Sequence, residues 1–341
     1  RHHSMPATRS AHLRSPWQVE VRRIDLPDTP PDGEALLRVE ACGICGSDLN
    51  AAAWGAADWT PFGHEIAAEV VAVGRGADSL RVGDRVALMT SGYCGACERC
   101  RDGRMDLCRK APGFWGRPAM GLADFMLAPA ACCVRYEGLE PEAAALAEPA
   151  GVALDMVKTA AIRHGDSLAI VGPGPLGLMA IPLAIRSGAA RVVCVGRSAG
   201  PRLELARRLG AETLVLDGPV EGRPDLAEAF DHILLTAPPD LIPGWLSALA
   251  YGGELTYVGF GPRGEIRLDA NDFHRRKLQL RASFASPALY FPAALKLIRS
   301  GAIPADAIIT HRFALSEIEE AMALLRDDRG RTGKVVIVAE D

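Results

Sequence analysis

The 341-residue chain has little excess of either charge: 38 Lys and Arg stand against 42 Asp and Glu, a net charge of −4. That mild acidity carries no basic footprint and argues against a nucleic-acid partner. No apolar run approaches the roughly 18 residues of a membrane span, which argues against a membrane protein. The opening residues do not read as a signal peptide, and none is expected. Arg1-His2-His3-Ser4 reads as the remnant of a tag, with Met5 as the native start. Nine Cys without a secretory signal imply a reducing compartment, and a cytoplasmic location is expected. Internal repeats and low-complexity linkers are missing as well. What remains is the composition of a soluble globular protein, 49% hydrophobic and 23% charged. Its length suits about two domains, each with its own core.

Four of the nine Cys fall within 15 residues. Cys94, Cys97, Cys100 and Cys108 read C-x2-C-x2-C-x7-C. Four thiols at this spacing can close a tetrahedral shell around one Zn²⁺, and four thiolates on that ion leave a net −2. Arg99, Arg101, Arg104, Arg109 and Lys110, set against Glu98, Asp102 and Asp106, offset it. The competing reading is a set of disulfides or a chance cluster. With every vertex filled by Cys, such a metal holds a loop together, and the chemistry belongs elsewhere. Cys132, Cys133 and Cys194 read as buried hydrophobes.

From about residue 18 to 136 the chain reads as short strands between turns, including Ala35–Val39, Ala67–Val73 and Arg85–Leu88. The pattern suggests an antiparallel, barrel-like first domain. Near residue 141 the rhythm changes. Apolar strands at Ser167–Val171, Arg191–Val195, Thr213–Leu216, His232–Thr236, Gly253–Val258 and Leu278–Ala282 alternate with helical patterns, as in a parallel sheet covered on both faces. One helix opens at Pro201 and ends at Gly210. Two more helical patterns and a strand, Lys334–Val338, close the chain, and the pattern alone allows this tail to return to either domain.

The strand Ser167–Val171 runs into Gly172-Pro173-Gly174-Pro175-Leu176-Gly177, a G-x-G-x-x-G that opens a helix over Leu178–Ser187. A second strand ends about 20 residues later, so the context of a dinucleotide site is complete. A pyrophosphate would sit on the helix N-terminus. Where NAD sites place an acidic residue, this chain has Gly196-Arg197-Ser198, with Arg202 one turn on. Guanidinium groups suit a ribose 2′-phosphate, so NADP(H) is expected over NAD(H). The competing reading leaves Arg197 solvated in an NAD enzyme.

Three further clusters carry metal-ligand chemistry: Cys42-Gly43-Ile44-Cys45-Gly46-Ser47-Asp48, Gly63-His64-Glu65 and Glu148-Pro149. Cys, His and carboxylate are the set Zn²⁺ takes in catalytic sites. Singly each is weak: a lone His is more often packed or at the surface, and Ser47 could be a helix N-cap.

In this order the clusters, the four-Cys lobe, the Gly-rich turn and the tail Gly333-Lys334-Val335-Val336 resemble the zinc-dependent medium-chain dehydrogenase/reductases over nearly the whole chain. The resemblance implies an α/β architecture. A GroES-like β-barrel catalytic domain (1–150 and 287–341) would be joined to a Rossmann domain (151–286), with the active-site cleft between them and the tail returned to the catalytic domain. It implies two zinc ions per chain. The catalytic one would sit on Cys45 and His64, with Glu65 and Glu148 direct or exchanging with water, and with Cys42 a bystander. Glu148 points to the branch resembling sorbitol, threonine and cyclitol dehydrogenases. Ser47 would relay the hydroxyl proton; Asn50 stands where many relatives carry a His, so the relay beyond Ser47 lacks its usual titrating group. Thr236, Val258 and Lys334 complete the expected cofactor contacts.

The expected activity is a zinc-dependent, NADP(H)-linked interconversion of ketone and secondary alcohol in the reductive direction. The substrate would be a sugar, cyclitol, aminocyclitol or amino sugar, in secondary metabolism. The alternative is an NAD-dependent sorbitol- or threonine-type enzyme working oxidatively. A zinc-lobed binding module and a zinc-free quinone reductase are the more distant readings. Trp54 and Trp59, in Ala51–Phe62, either form a substrate wall or pack against the barrel. Asp58 would face a substrate amine or the solvent, and His311 would be structural. A homodimer or homotetramer is expected, with Gly253–Val258 and its neighbours as the sheet edge.

Overall fold

The computed structural model describes residues 7–262, 264–284 and 287–340. The opening segment read as a tag remnant with Met5 lies outside them. The chain divides into two compact units, Arg1–Glu148 with Ser286–Asp341, and Pro149–Ala285. Among the described residues no helix is long and apolar enough to cross a membrane.

The discontinuous unit is built on a seven-stranded sheet. Along its main path the strands are Ile309–Ala314, Lys334–Val338, Glu34–Gly43, Glu65–Val73, Arg85–Leu88 and Cys133–Arg135, and Phe125–Pro129 pairs with Glu34–Gly43 off that path. All pairings are antiparallel except that of Ile309–Ala314 with Lys334–Val338. A three-stranded sheet completes the unit, with Thr8–Arg14 between Gln18–Ile24 and Thr60–Pro61. Alternation puts Ala35, Leu37, Val39, Ile66, Ala68, Val70, Val86 and Leu88 into one core, which Phe114, Met120, Leu122 and Met126 fill. The tail returns here: Val336 pairs with Gly43 and Ile337 with Cys42.

The continuous unit is a six-stranded parallel sheet. Its spatial order is Glu212–Val215, Arg191–Gly196, Ser167–Val171, Phe230–Leu235, Leu249–Tyr257 and Gln279–Ala282. This is the doubly wound Rossmann order, with the chain reversing direction across the sheet beside its first strand, Ser167–Val171. Leu168, Ala169 and Ile170 are fully buried, as are Ile233, Leu234 and Leu235, so helices cover both faces. The sheet edges are Glu212–Val215 and Gln279–Ala282; Leu249–Tyr257 lies one strand inside the latter.

Element ends differ from the sequence reading by one to four residues. The helix expected over Leu178–Ser187 runs Pro175–Arg186, because Gly174 caps it and Pro175 takes its first turn, where no N–H partner is lost. The strands expected at Thr213 and His232 begin at Glu212 and Phe230. After residue 287 the two expected helices are Pro287–Arg299 and Ile318–Asp327, with the short helix Ala305–Ile308 and the strand Ile309–Ala314 between them.

Candidate active site

Three chain segments converge in the discontinuous unit. Cys45 caps the short helix Gly46–Asn50, and its backbone N–H donates to Asp48 Oδ2 at 2.9 Å. Cys45 therefore holds the cap position that Ser47 was a candidate for; Ser47 sits half-buried on the helix's first turn. Gly63 lies at φ +90, a conformation L side chains rarely adopt, and any Cβ there would stand 2.6 Å from Leu122 Cγ. That turn delivers His64 and Glu65 to the start of strand Glu65–Val73. Cys45 Sγ, a ring nitrogen of His64 and a carboxylate oxygen of Glu65 all come within 4.8 Å of one another.

The surroundings fit a cation. His64 is 5% exposed and Glu65 fully buried. His64 Nδ1 is buried without a hydrogen-bond partner among the described residues and stands 3.6 Å from Asp48 Oδ1, so Asp48 acts on the imidazole through its charge. Burial disfavours the charged imidazole, but the negative charges of Asp48 and Cys45 outweigh it and hold the His64 pKa well above the usual value. Glu148 is also buried yet stands outside the three-ligand group. Burial first, opposed by His64 and reinforced by Glu65, pushes its carboxyl up to about 7. Cys42 turns its sulfur toward Gly63 and Gly121, and burial raises its thiol well above the ordinary range.

Lys334, expected among the cofactor contacts, is 2% exposed and directs its ammonium onto Glu65 at 2.5 Å. Sheet register explains the meeting. Gly43 pairs with Glu65 on one side and Val336 on the other, and a Cβ on Gly43 would lie 2.0 Å from Glu65 Oε2 and 2.9 Å from Lys334 Cε. The ion pair thus occupies the space above a glycine. Nothing local in the sequence announces a contact between residues 269 positions apart.

Trp59 is not available as a substrate wall. The Arg14 and Arg22 guanidinium groups lie 5.0 and 4.6 Å from its ring centre, so it belongs to the packing of the three-stranded sheet. Trp54 is 51% exposed and Asp58 is exposed. Sequence reasoning missed Trp115, whose ring centre is 5.2 Å from that of His64. His311 lies on the strand Ile309–Ala314, with its Nδ1 2.8 Å from Thr310 Oγ1.

The four lobe sulfurs also gather within 4.8 Å. The Cys94–Cys100, Cys97–Cys100 and Cys97–Cys108 separations are 3.9, 3.5 and 3.9 Å. A Zn–S bond of about 2.3 Å implies tetrahedral edges of about 3.8 Å, whereas a disulfide needs about 2.05 Å. All nine thiols are free, so the geometry is that of a metal lobe. Backbone N–H groups of Ala96 and Cys97 hold the Cys94 thiol down to about 6. Cys132 and Cys194 are buried, and Cys133 is half-buried.

In the continuous unit the Gly-rich turn is tightly drawn. A Cβ on Gly177 would stand 2.1 Å from Gly172 O, so helix and turn meet backbone to backbone. Thr236 Oγ1 donates to Gly172 O at 2.9 Å, so Thr236 braces the turn. Leu176 lies in the first turn of the helix that Gly174 caps. Gly196 ends its strand against Pro173 and Leu203, and Arg197 and Ser198 emerge exposed. Arg202 Nη1 lies 3.9 Å from where a Gly174 Cβ would be. Val258 is buried, its N–H donating to Leu235 O at 3.1 Å.

Residues 31–138 match the alcohol dehydrogenase GroES-like domain, and residues 175–300 the zinc-binding dehydrogenase domain. An L-threonine 3-dehydrogenase of Thermococcus kodakarensis is 33% identical, over 94% of this chain and 94% of its own. An L-galactonate-5-dehydrogenase of Escherichia coli is 30% identical, over 90% and 92%. Among solved structures, a zinc-binding dehydrogenase from Sinorhizobium meliloti 1021 bound to NADP superposes with a TM-score of 0.85 at 27% identity, over 98% of this chain and all of the other. The donor set, the two domain matches and similarity along nearly the full length agree: the chain belongs to the zinc-dependent alcohol dehydrogenase family of medium-chain dehydrogenase/reductases, as an oxidoreductase of the threonine and polyol dehydrogenase type.

Proposed function

We propose that this protein is a zinc-dependent, NADP(H)-linked oxidoreductase. It would interconvert a ketone and a secondary alcohol on a polyhydroxylated or amino-bearing substrate, in the reductive direction. The observation that carries the reading is the buried group of Cys45, His64 and Glu65, backed by Asp48 and Lys334. Zinc held there supplies Lewis acidity at the substrate oxygen, and the nicotinamide supplies the hydride. Cys45, His64 and Glu65 would bind the ion, with Glu148 close by. Asp48 acts on the imidazole through its charge, Lys334 fixes the Glu65 carboxylate, and Ser47, half-buried one turn from Cys45, would move the hydroxyl proton. Cys94, Cys97, Cys100 and Cys108 would hold a second, structural zinc.

Support for NADP(H) comes from Arg197 at the strand end and from the Arg202 guanidinium beside Gly174. Gly196-Arg197-Ser198 brings no acidic residue of its own to repel a 2′-phosphate. The Sinorhizobium meliloti relative carries NADP. The threonine dehydrogenase similarity favours a second reading, oxidation of an amino alcohol. Parallel fluorescence titrations with NADPH and NADH separate the two. NADPH should bind more tightly, and Arg197→Ala should weaken NADPH about tenfold, the loss of one charge-assisted contact, while sparing NADH. Tighter NADH binding would overturn the cofactor assignment.

A further inference from the structure

The chain between Cys45 and His64 carries metal-group residues at both ends, so its course bears on how they meet. The helix Gly46–Asn50 runs into Ala51–Gly55, where the Ala56 N–H donates to Ala51 O at 3.1 Å, five residues back instead of four. Widened turns of this kind occur mostly singly and frequently at functional sites. Here a side chain from elsewhere completes the turn. The Ser15 hydroxyl donates to Ala51 O at 2.7 Å and accepts from the Ala56 N–H at 2.9 Å, so it sits in the opened rung. Ser15 belongs to the turn between the strands Thr8–Arg14 and Gln18–Ile24.

That hairpin grips the connection again and again. The Ser15 N–H donates to Ala56 O at 2.8 Å, and the Trp17 N–H to Ala52 O at 2.7 Å. Trp17 holds φ 55, a strained conformation for an L residue, and its indole packs against the core, which keeps it there. Further along, Leu13 pairs with Thr60 and His12 with Pro61, and Arg14 and Arg22 bracket Trp59. From residue 51 to residue 61 one hairpin thus mounts the segment that leads from Cys45 to His64.

We propose that Ser15 is a positioning residue for the metal group: its hydroxyl keeps the turn at residues 51–56 open, and the open turn sets how Cys45 and His64 meet. Without the hydroxyl the rung can close to ordinary helical spacing, a change of one residue in register that the chain must absorb before Thr60. The donors on either side would then converge less well. The inference rests on the reading of Cys45, His64 and Glu65 as a metal site.

The test loads Co²⁺ onto the full chain, with zinc kept in the four-cysteine lobe, and follows the visible absorption of the cobalt, which reports its ligand geometry. Ser15→Ala should shift that absorption and weaken cobalt binding about tenfold. Ser15→Thr keeps the hydroxyl and should restore both toward wild type. Gln18→Ala loosens the same hairpin, where Arg14 Nε donates to Gln18 Oε1 at 2.8 Å, without touching the turn, and should change neither. Equal effects of Gln18→Ala and Ser15→Ala would mean that the hairpin only lends stability, and would overturn the positioning role. Wild-type absorption and affinity in a folded Ser15→Ala variant would overturn it as well. If Ser15→Ala does not fold, Ser15→Cys, similar in shape but a weaker donor, is read in the same way. A wild-type chain that gives no cobalt absorption overturns the metal reading itself, and the positioning role with it.

Discussion

Replacing Gly43 by Ala adds one methyl group where the structure has no room for it. The new Cβ would stand 2.0 Å from Glu65 Oε2 and 3.2 Å from Glu65 Cβ. Ordinary contact lies near 3.5 Å, so the carboxylate must move by more than about 1 Å. It is fully buried and tied at 2.5 Å to Lys334, which is itself 2% exposed. Overpacking of this kind costs about 1–3 kcal/mol, and loss of a buried ion pair about 3–5 kcal/mol. Partial relaxation places the expected destabilisation at about 2–4 kcal/mol. The same movement displaces one of the three proposed metal donors, so zinc at that group should be lost before lobe zinc. Urea unfolding followed by circular dichroism, with zinc counted by mass spectrometry, reads both effects. A variant within about 0.5 kcal/mol of wild type that keeps two zinc ions would refute the reasoning, because a merely tolerated surface methyl behaves that way.

Other perturbations follow from the same geometry. Lys334→Met leaves the Glu65 charge buried and alone, and should destabilise by about 3–5 kcal/mol, with Lys334→Met/Glu65→Gln recovering much of the stability in the same urea assay. Asp48→Asn removes the negative charge facing His64 Nδ1; competition with a chromogenic chelator should show zinc affinity at the catalytic site falling about 10- to 100-fold. Asp231 accepts hydrogen bonds at 2.7 Å from both the N–H and the hydroxyl of Ser167. Burial opposes its ionisation, but these bonds win and its pKa is lowered. Its contribution is therefore present above the ordinary carboxylate range and lost as pH falls through the lowered value. Asp231→Ala should cost about 1–3 kcal/mol at neutral pH by thermal unfolding, and less in acid.

What the sequence made legible was whatever is written locally. The Gly-rich turn sits between a strand and a helix, so its place in the fold could be read without tertiary information. The lobe cysteines carry their geometry in their spacing. The parallel strands announced themselves because burial on both faces leaves unbroken apolar runs such as Ile233-Leu234-Leu235. What escaped was set by sheet register and long-range packing. Lys334 was placed with the cofactor because the partner that claims it is distant in sequence. Trp59 stayed open between wall and packing because the two arginines that bracket it come from a separate hairpin, Thr8–Arg14 with Gln18–Ile24. Trp115 gave no signal at all, since its importance lies in which ring it reaches.

The strand Lys334–Val338 lies between Ile309–Ala314 and Glu34–Gly43. On the ribosome this has a consequence in time. The continuous unit, Pro149–Ala285, holds all six strands of its sheet and can close as it leaves the exit tunnel. The other unit must wait with a gap in its sheet and an uncompensated Glu65 until one of its last strands is made. A nascent chain with residue 285 just clear of the tunnel would then carry all six strands of the continuous unit beside an unfinished Cys45, His64 and Glu65 group, so any metal taken up there would come late in the life of each new molecule.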